Sequence, residues 1–279
     1  MSSLRINIDS IPIPEVREII KIIDIVLSKL NFDYYLIGAR ARDFWFESIN
    51  LPPRRFTLDI DYAVLVPDID KLDEIINLST NEYGFQKIIG VPHRMKFIKS
   101  DLLVDLLPFE DISLSEYVIL ADNEKTKISI IGFKEVYQQL LDDGYSEGEL
   151  KIASLPGLCI LKLLAWDDKP FERDKDIVDL ANIIYHYFDF TMDEIYELHK
   201  DLFTDEFDTY RAGARVLGRH IKKITERNEK LNDKIITILS ENVKDVYNSR
   251  IADIMAGELK KTVEFSISLL KEIIIGLND

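Results

Sequence analysis

The amino-acid sequence predicts an α+β fold, in which a core with a mixed β-sheet flanked by helices is followed by an α-helical C-terminal region. Three observations carry that expectation. Short apolar runs punctuated by glycine or proline alternate with amphipathic stretches over the first half of the chain. The strand-like runs 86–91, 95–98 and 102–107 follow one another with no helical stretch between them, which makes the sheet mixed rather than purely parallel. Beyond Pro156 no further strand is convincing. The expected division is an αβ core over residues 1–145 and a mainly helical domain over residues 146–279.

Element by element, Val16, Ile19, Ile20, Ile23, Val26, Leu27 and Leu30 have helical spacing within 12–30. Tyr34 to Ile37 reads as a short buried strand that ends at Gly38, and Arg40 to Glu47 as the helix after it. Residues 51–55 break the chain with two prolines. The run 56–66 is then a strand with Leu58, Ile60, Tyr62, Val64 and Val66 on one face and Asp59 and Asp61 on the other. A helix over 70–79 precedes the three adjacent strands. A hairpin is expected from 117–120 and 127–131, then a helix from Phe133 to Leu141 and a short strand at Leu150 to Ala153. Pro156 suits the first turn of a helix reaching Trp166. Helices over 174–187, 192–200, 207–224, 231–239 and 259–277 complete the pattern.

Bulk composition narrows the function. A formal net charge of −15 opposes non-specific coating of nucleic acid, which requires basic surface. The four histidines, His93, His186, His199 and His220, lack the spacing of zinc ligands, so no zinc site is expected. A lone cysteine, Cys159, permits no internal disulfide. The N-terminal stretch lacks a signal-peptide pattern, and no run approaches the ~20 apolar residues of a membrane span. The expectation is a soluble, cytoplasmic protein with no membrane partner.

Four constellations could carry chemistry. Asp59 and Asp61, two residues apart on a strand, project to one face and repel unless a cation lies between them; Asp105 sits in the apolar run Leu102–Leu107 and needs a partner of its own. Hard carboxylate oxygens suit Mg²⁺. The plainer alternative leaves Asp59 and Asp61 on a solvated face and pairs Asp105 with an arginine. The second is Gly38-Ala39-Arg40-Ala41-Arg42 at a strand-to-helix junction, where backbone amides can approach phosphate, with Arg54 and Arg55 adding charge nearby. The third is Lys162 in a helix apolar almost all round, together with Asp176 and Asp179; the alternative is a lysine that carries its charge out to solvent along its stem. The fourth is the stripe Arg211, Arg215, Arg219 and Lys222 on one helix face, which could dock phosphates or be balanced by neighbouring acids.

The glycine turn, the Asp-x-Asp strand and the later aspartate resemble the polymerase-beta-like nucleotidyltransferase superfamily. Leu36-Ile37-Gly38-Ala39-Arg40-Ala41-Arg42-Asp43, Arg55-x-Thr57-x-Asp59-Ile60-Asp61, Val104-Asp105-Leu106-Leu107-Pro108-Phe109, and Leu161 to Trp166 with Arg173-Asp174-Lys175-Asp176 are similar to the AbiEii-type nucleotidyltransferases, the toxin halves of toxin–antitoxin pairs. The resemblance covers about residues 30–190, with a fainter echo at Ala212 to Arg219. It implies a polymerase-beta-like core and transfer of an NMP from an NTP to an acceptor hydroxyl with release of pyrophosphate. It further implies two Mg²⁺ ions, or Mn²⁺, held by Asp59, Asp61 and Asp105, with nucleotide bound by Gly38, Ala39, Arg40, Arg42, Arg55 and Lys162. Lys162 and Asp176 would be contributed to the site by the helical domain. Ala39 stands where many relatives carry a serine. The acceptor implied is tRNA, and an antitoxin protein is the implied partner. Protein or small-molecule acceptors, and a catalytically weak nucleotide-binding module acting through a partner protein, are the rival readings.

Overall fold

The computed structural model describes residues 4–52, 57–109, 117–119, 127–145 and 149–279. Two compact units make up the chain, one extending to Ser154 and the other running from Leu155 to Asp279.

The first unit is built on a five-stranded mixed sheet. Helix α1 (Pro14–Lys29) has proline in its first turn and buries Val16, Ile19, Ile20, Ile23, Val26 and Leu27, the stripe that its apolar spacing predicts. Strand β1 (Tyr34–Ile37) is buried throughout and passes directly into α2 (Gly38–Ser48), two residues earlier than the expected start. Strand β2 (Asp59–Leu65) lies beside it, and α3 (Ile69–Glu82) follows, capped by the Asp68 carboxylate, which accepts from Lys71 N. Strands β3 (Phe85–Ile88) and β4 (Val91–Phe97) turn at Gly90, whose φ of 80° lies in the left-handed region. Strand β5 (Leu103–Phe109) then inserts between β4 and β2, giving the order β1-β2-β5-β4-β3. Only β2 and β5 run parallel; the other neighbours are antiparallel, so the sheet is mixed as expected.

Strands β6 (Tyr117–Ile119) and β7 (Lys127–Ser129) form a separate antiparallel pair, and α4 (Phe133–Asp143) follows. The expected strand at Leu150 to Ala153 is reduced to a bridge between Leu36 and Ile152. It still occupies the outer edge of β1, where Leu36 N donates to Lys151 O at 2.8 Å and Ala153 N to Leu36 O at 2.9 Å.

The second unit is helical: α5 (Leu155–Asp168), α6 (Asp174–Leu198), α7 (Thr209–Thr225), α8 (Glu229–Glu241), α9 (Arg250–Leu259) and α10 (Val263–Asn278). Side chains of Asp208, Asn228, Ser249 and Thr262 cap the starts of α7 to α10. Two differences from the expected pattern stand out. The stretches 174–187 and 192–200 are one helix broken only at Thr191, which has non-helical φ of −127° and turns its hydroxyl onto Tyr187 O at 2.7 Å. The expected last helix begins later, because α9 ends at Leu259, Lys260 takes the left-handed conformation, and Thr262 starts α10. Helix α9 itself was not expected, since its buried stripe amounts to Ile251, Ala252, Met255 and Ala256. Among the described residues no helix is long and apolar enough to cross a membrane.

Candidate active site

The parallel pairing of β2 with β5 sets Asp61 directly beside Asp105, with Asp59 beside Leu103. Register partners project from the same face of a sheet, so the three aspartates expected from the sequence share one face of one unit. Strand β4 supplies a fourth charge on that face, because Arg94 is the register partner of Asp105 on its other side. Its guanidinium grips the carboxylate with two bonds, Nε to Oδ1 and Nη2 to Oδ2, both 2.6 Å. The Asp105 hydrogen bond pushes the ionisation of Arg94 well up; the charges of Asp105, Asp59 and Asp61 add to this against the burial that lowers it. Asp105 itself is 5% exposed. The arginine partner that the plainer alternative gives Asp105 is therefore present, and it is Arg94, a residue that no sequence motif singles out. Nothing in Val91-Pro92-His93-Arg94 marks the register. Next to it, burial holds the His93 imidazole below its usual range, partly countered by Asp105, and His93 Nδ1 is buried without a hydrogen-bond partner among the described residues.

Gly38 closes the face at the end of β1. Its φ is +71°, and a Cβ built there would overlap Asp61 Oδ2, so both the backbone conformation and the space exclude a side chain. Ile37 offers no side-chain cap to α2, whose opening amides are thus left to what lies at the helix start. Arg40 and Arg42 in the first turns of α2 are buried, 3% and 6% exposed. Arg40 Nη2 donates to Thr57 O at 3.0 Å and its Nε has no hydrogen-bond partner among the described residues, while Arg42 Nε donates to Asp43 Oδ1 at 3.0 Å. Both arginines are held within the protein, so their own charge is not displayed on its surface. Arg54 and Arg55 lie outside the described residues.

In the helical unit, Lys162 of α5 is buried and meets two acids of α6. Its Nζ lies 2.7 Å from Asp179 Oδ2 and 3.2 Å from Asp176 Oδ1. The fully buried Asp179 thereby receives a cation, which accounts for a lysine in an apolar helix. Of the basic stripe, Arg215 binds Asp279 at 2.9 Å and Glu272 at 3.2 Å, and Arg219 binds Asp279 at 2.6 Å and Asp201 at 3.1 Å. Its two central members are balanced by acids. The aromatic run Phe44-Trp45-Phe46 is buried in the core of the first unit, with Trp45 Nε1 donating to Ala153 O at 2.9 Å. A second grouping, unmarked by sequence spacing, brings Glu194, His199 and His220 together in the helical unit.

No protein-family model matches the chain, and no curated protein matches it. Among solved structures, the chain is similar to the antibiotic-resistance factor ANT(2'')-Ia, at 12% identity and a TM-score of 0.36, over 82% of this chain and 98% of that one. It is also similar to the Vibrio cholerae cyclic AMP-GMP synthase DncV, solved with the linear intermediate 5' pppA(3',5')pG, at 16% identity and a TM-score of 0.29, over 89% of this chain and 68% of that one.

Proposed function

We propose that the protein is a metal-dependent nucleotidyltransferase of the polymerase-beta-like kind, moving an NMP from an NTP to an acceptor hydroxyl with release of pyrophosphate. The observation that carries the reading is the register of β2 on β5, which sets Asp59, Asp61 and Asp105 on one face, with Gly38 packed against the Asp61 carboxylate. Three hard carboxylates on rigid neighbouring strands fit Mg²⁺ or Mn²⁺, and their mutual repulsion is relieved at present by Arg94. Bound divalent metal would stabilise the entering and leaving oxygens of the phosphoryl transfer. Asp59 and Asp61 hold the ions in this reading, and Asp105 joins them when Arg94 shares or yields its carboxylate. The Gly38 and Ala39 amides at the start of α2 receive the phosphates, with backbone N–H taking the part of the serine hydroxyl that Ala39 lacks. Lys162 is assigned by the same resemblance to the triphosphate, and Asp176 to the orientation of that lysine or of the acceptor; Arg40, Arg42 and Arg55 are assigned to nucleotide binding.

The acceptor is assigned to tRNA, with an antitoxin as partner, on the AbiEii-type motifs. A protein hydroxyl or a small molecule such as an antibiotic is the rival acceptor. The retention of Asp105 by Arg94 and the Ala39 substitution favour a second reading, a nucleotide-binding module of weak activity. Incubation of the purified chain with each labelled NTP and, in turn, tRNA, protein extract and aminoglycosides should release pyrophosphate only with divalent metal and one acceptor class. Asp61→Asn should reduce that release by at least about a thousandfold, the loss of both metal-held orientation and charge stabilisation, while leaving the circular dichroism spectrum unchanged. Full activity in Asp61→Asn would overturn the reading.

A further inference from the structure

Glu194 and His199 lie at the end of α6, beyond the break at Thr191, and His220 lies in α7, all within the helical unit. One ligand atom from each falls within 4.8 Å of the others. Glu194 Oε1 is 2.8 Å from His220 Nε2 and 3.6 Å from His199 Nε2. Ligands about 2.0–2.1 Å from a tetrahedral zinc stand about 3.3 Å from one another, so one edge of this triangle needs to open slightly and another to close. We propose that Glu194, His199 and His220 form a binding site for a borderline divalent cation of the Zn²⁺ class.

The chemistry of the donors separates this site from the carboxylate face of β2 and β5. Two imidazole nitrogens and one carboxylate oxygen suit zinc, and three protein ligands leave a fourth position open to water. The surroundings are those of a prepared site. His220 is 4% exposed, and its Nδ1 lies 2.7 Å from Tyr187 OH, which can take the Nδ1 proton and leave Nε2 aimed at the carboxylate. His199 Nε2 is buried, makes no hydrogen bond among the described residues, and faces Glu194 from a distance too long for one. A cation between them gives that nitrogen its partner.

Two contacts must change on loading: the direct Glu194–His220 bond opens to admit the cation, with the His220 proton held on Nδ1 toward Tyr187, and the Arg219–His199 contact is released. Arg219 Nη1 lies 2.8 Å from His199 Nδ1, and a guanidinium only donates, so without metal the ring proton sits on Nε2. Ligation moves that proton to Nδ1 and leaves Arg219 to Asp201 and Asp279, both already its partners. Sequence spacing hid the site because the kink at Thr191 and the pairing of α6 with α7, not helical periodicity, bring the three residues together.

The test uses the full chain, stripped with chelator and titrated with Zn²⁺ and, separately, Co²⁺ in the absence of Mg²⁺. The expected result is one saturable equivalent of Zn²⁺ with a raised Tm, and the visible absorption of tetrahedral Co²⁺, in both the parent and Asp61→Asn. Glu194→Gln and His199→Gln should each weaken Zn²⁺ binding at least tenfold. His199 caps the end of α6, so its substitution spares the core, and circular dichroism checks both variants. Absence of saturable binding in the parent would overturn the site. So would unchanged affinity in folded Glu194→Gln or His199→Gln, or binding lost in Asp61→Asn.

Discussion

At Gly38 the missing side chain decides whether the Asp61 carboxylate can occupy its place, because a Cβ there would overlap Oδ2 and the φ of +71° is costly for any other residue. Gly38→Ala should therefore destabilise the first unit by about 2 kcal/mol and reduce nucleotidyl transfer further than its stability loss explains, as read by urea unfolding beside pyrophosphate release. At this scale much was legible in advance. An aspartate at every second strand position is unfavourable without a reason, and a buried lone aspartate needs a cation, so Asp59, Asp61 and Asp105 could be picked out without coordinates. Arg94 could not, since a strand arginine finds its carboxylate only through register. Nor could the inward turn of Arg40 and Arg42, because a helix start displays or buries its arginines according to what packs upon it.

Pairs of elements show a different limit. Within the stretch Ala212 to Arg219, Gly218 has a packing reason: Gly218 of α7 and Gly276 of α10 meet so closely that a Cβ on either would overlap the other helix's backbone carbonyl, at Ile273 O and Arg215 O. Gly276→Val should cost about 3 kcal/mol by forcing the helices apart, measured as a fall in the urea midpoint of the purified chain. The same two helices are joined by charge. The Arg215 hydrogen bond, aided by Arg219, holds the Asp279 carboxyl below its usual value of 3.8, against the burial that raises it, and Arg219 likewise lowers Asp201. A carboxyl whose folded value lies below its unfolded one binds fewer protons when folded, so its stabilisation is complete above about pH 4 and fades as pH falls through the lower folded value. Urea midpoints taken from pH 6 down to pH 2 should therefore fall less steeply in Asp279→Asn than in the parent below pH 4, and start lower at pH 6.

For the molecule as a whole, the net charge of −15 is decisive about nucleic acid only in the non-specific sense. The central arginines of the basic stripe are engaged with Asp201, Glu272 and Asp279, which leaves little uncompensated cationic surface there. Labelled random duplex DNA at about 0.15 M salt should bind more weakly than the ~10⁻⁴ M limit typical of non-specific binders, measured by fluorescence anisotropy. An RNA acceptor would then be recognised at a defined site, without help from the central arginines of that stripe.

What the sequence by itself determined is what local chemistry dictates: the periodicity of the helices, the mixed character of the sheet, the helical second half, and the aspartates and glycine that have no ordinary place in a strand and a turn. These follow from spacing along the chain, and the chain carries spacing wherever it folds. Tertiary structure alone decided which charges neutralise which. The Arg94 grip on Asp105 joins residues 11 positions apart on two strands, and the meeting of Glu194 and His199 with His220 joins the end of one helix to another. Such partnerships depend on strand register and helix packing, which the whole core sets at once and no short stretch of sequence records.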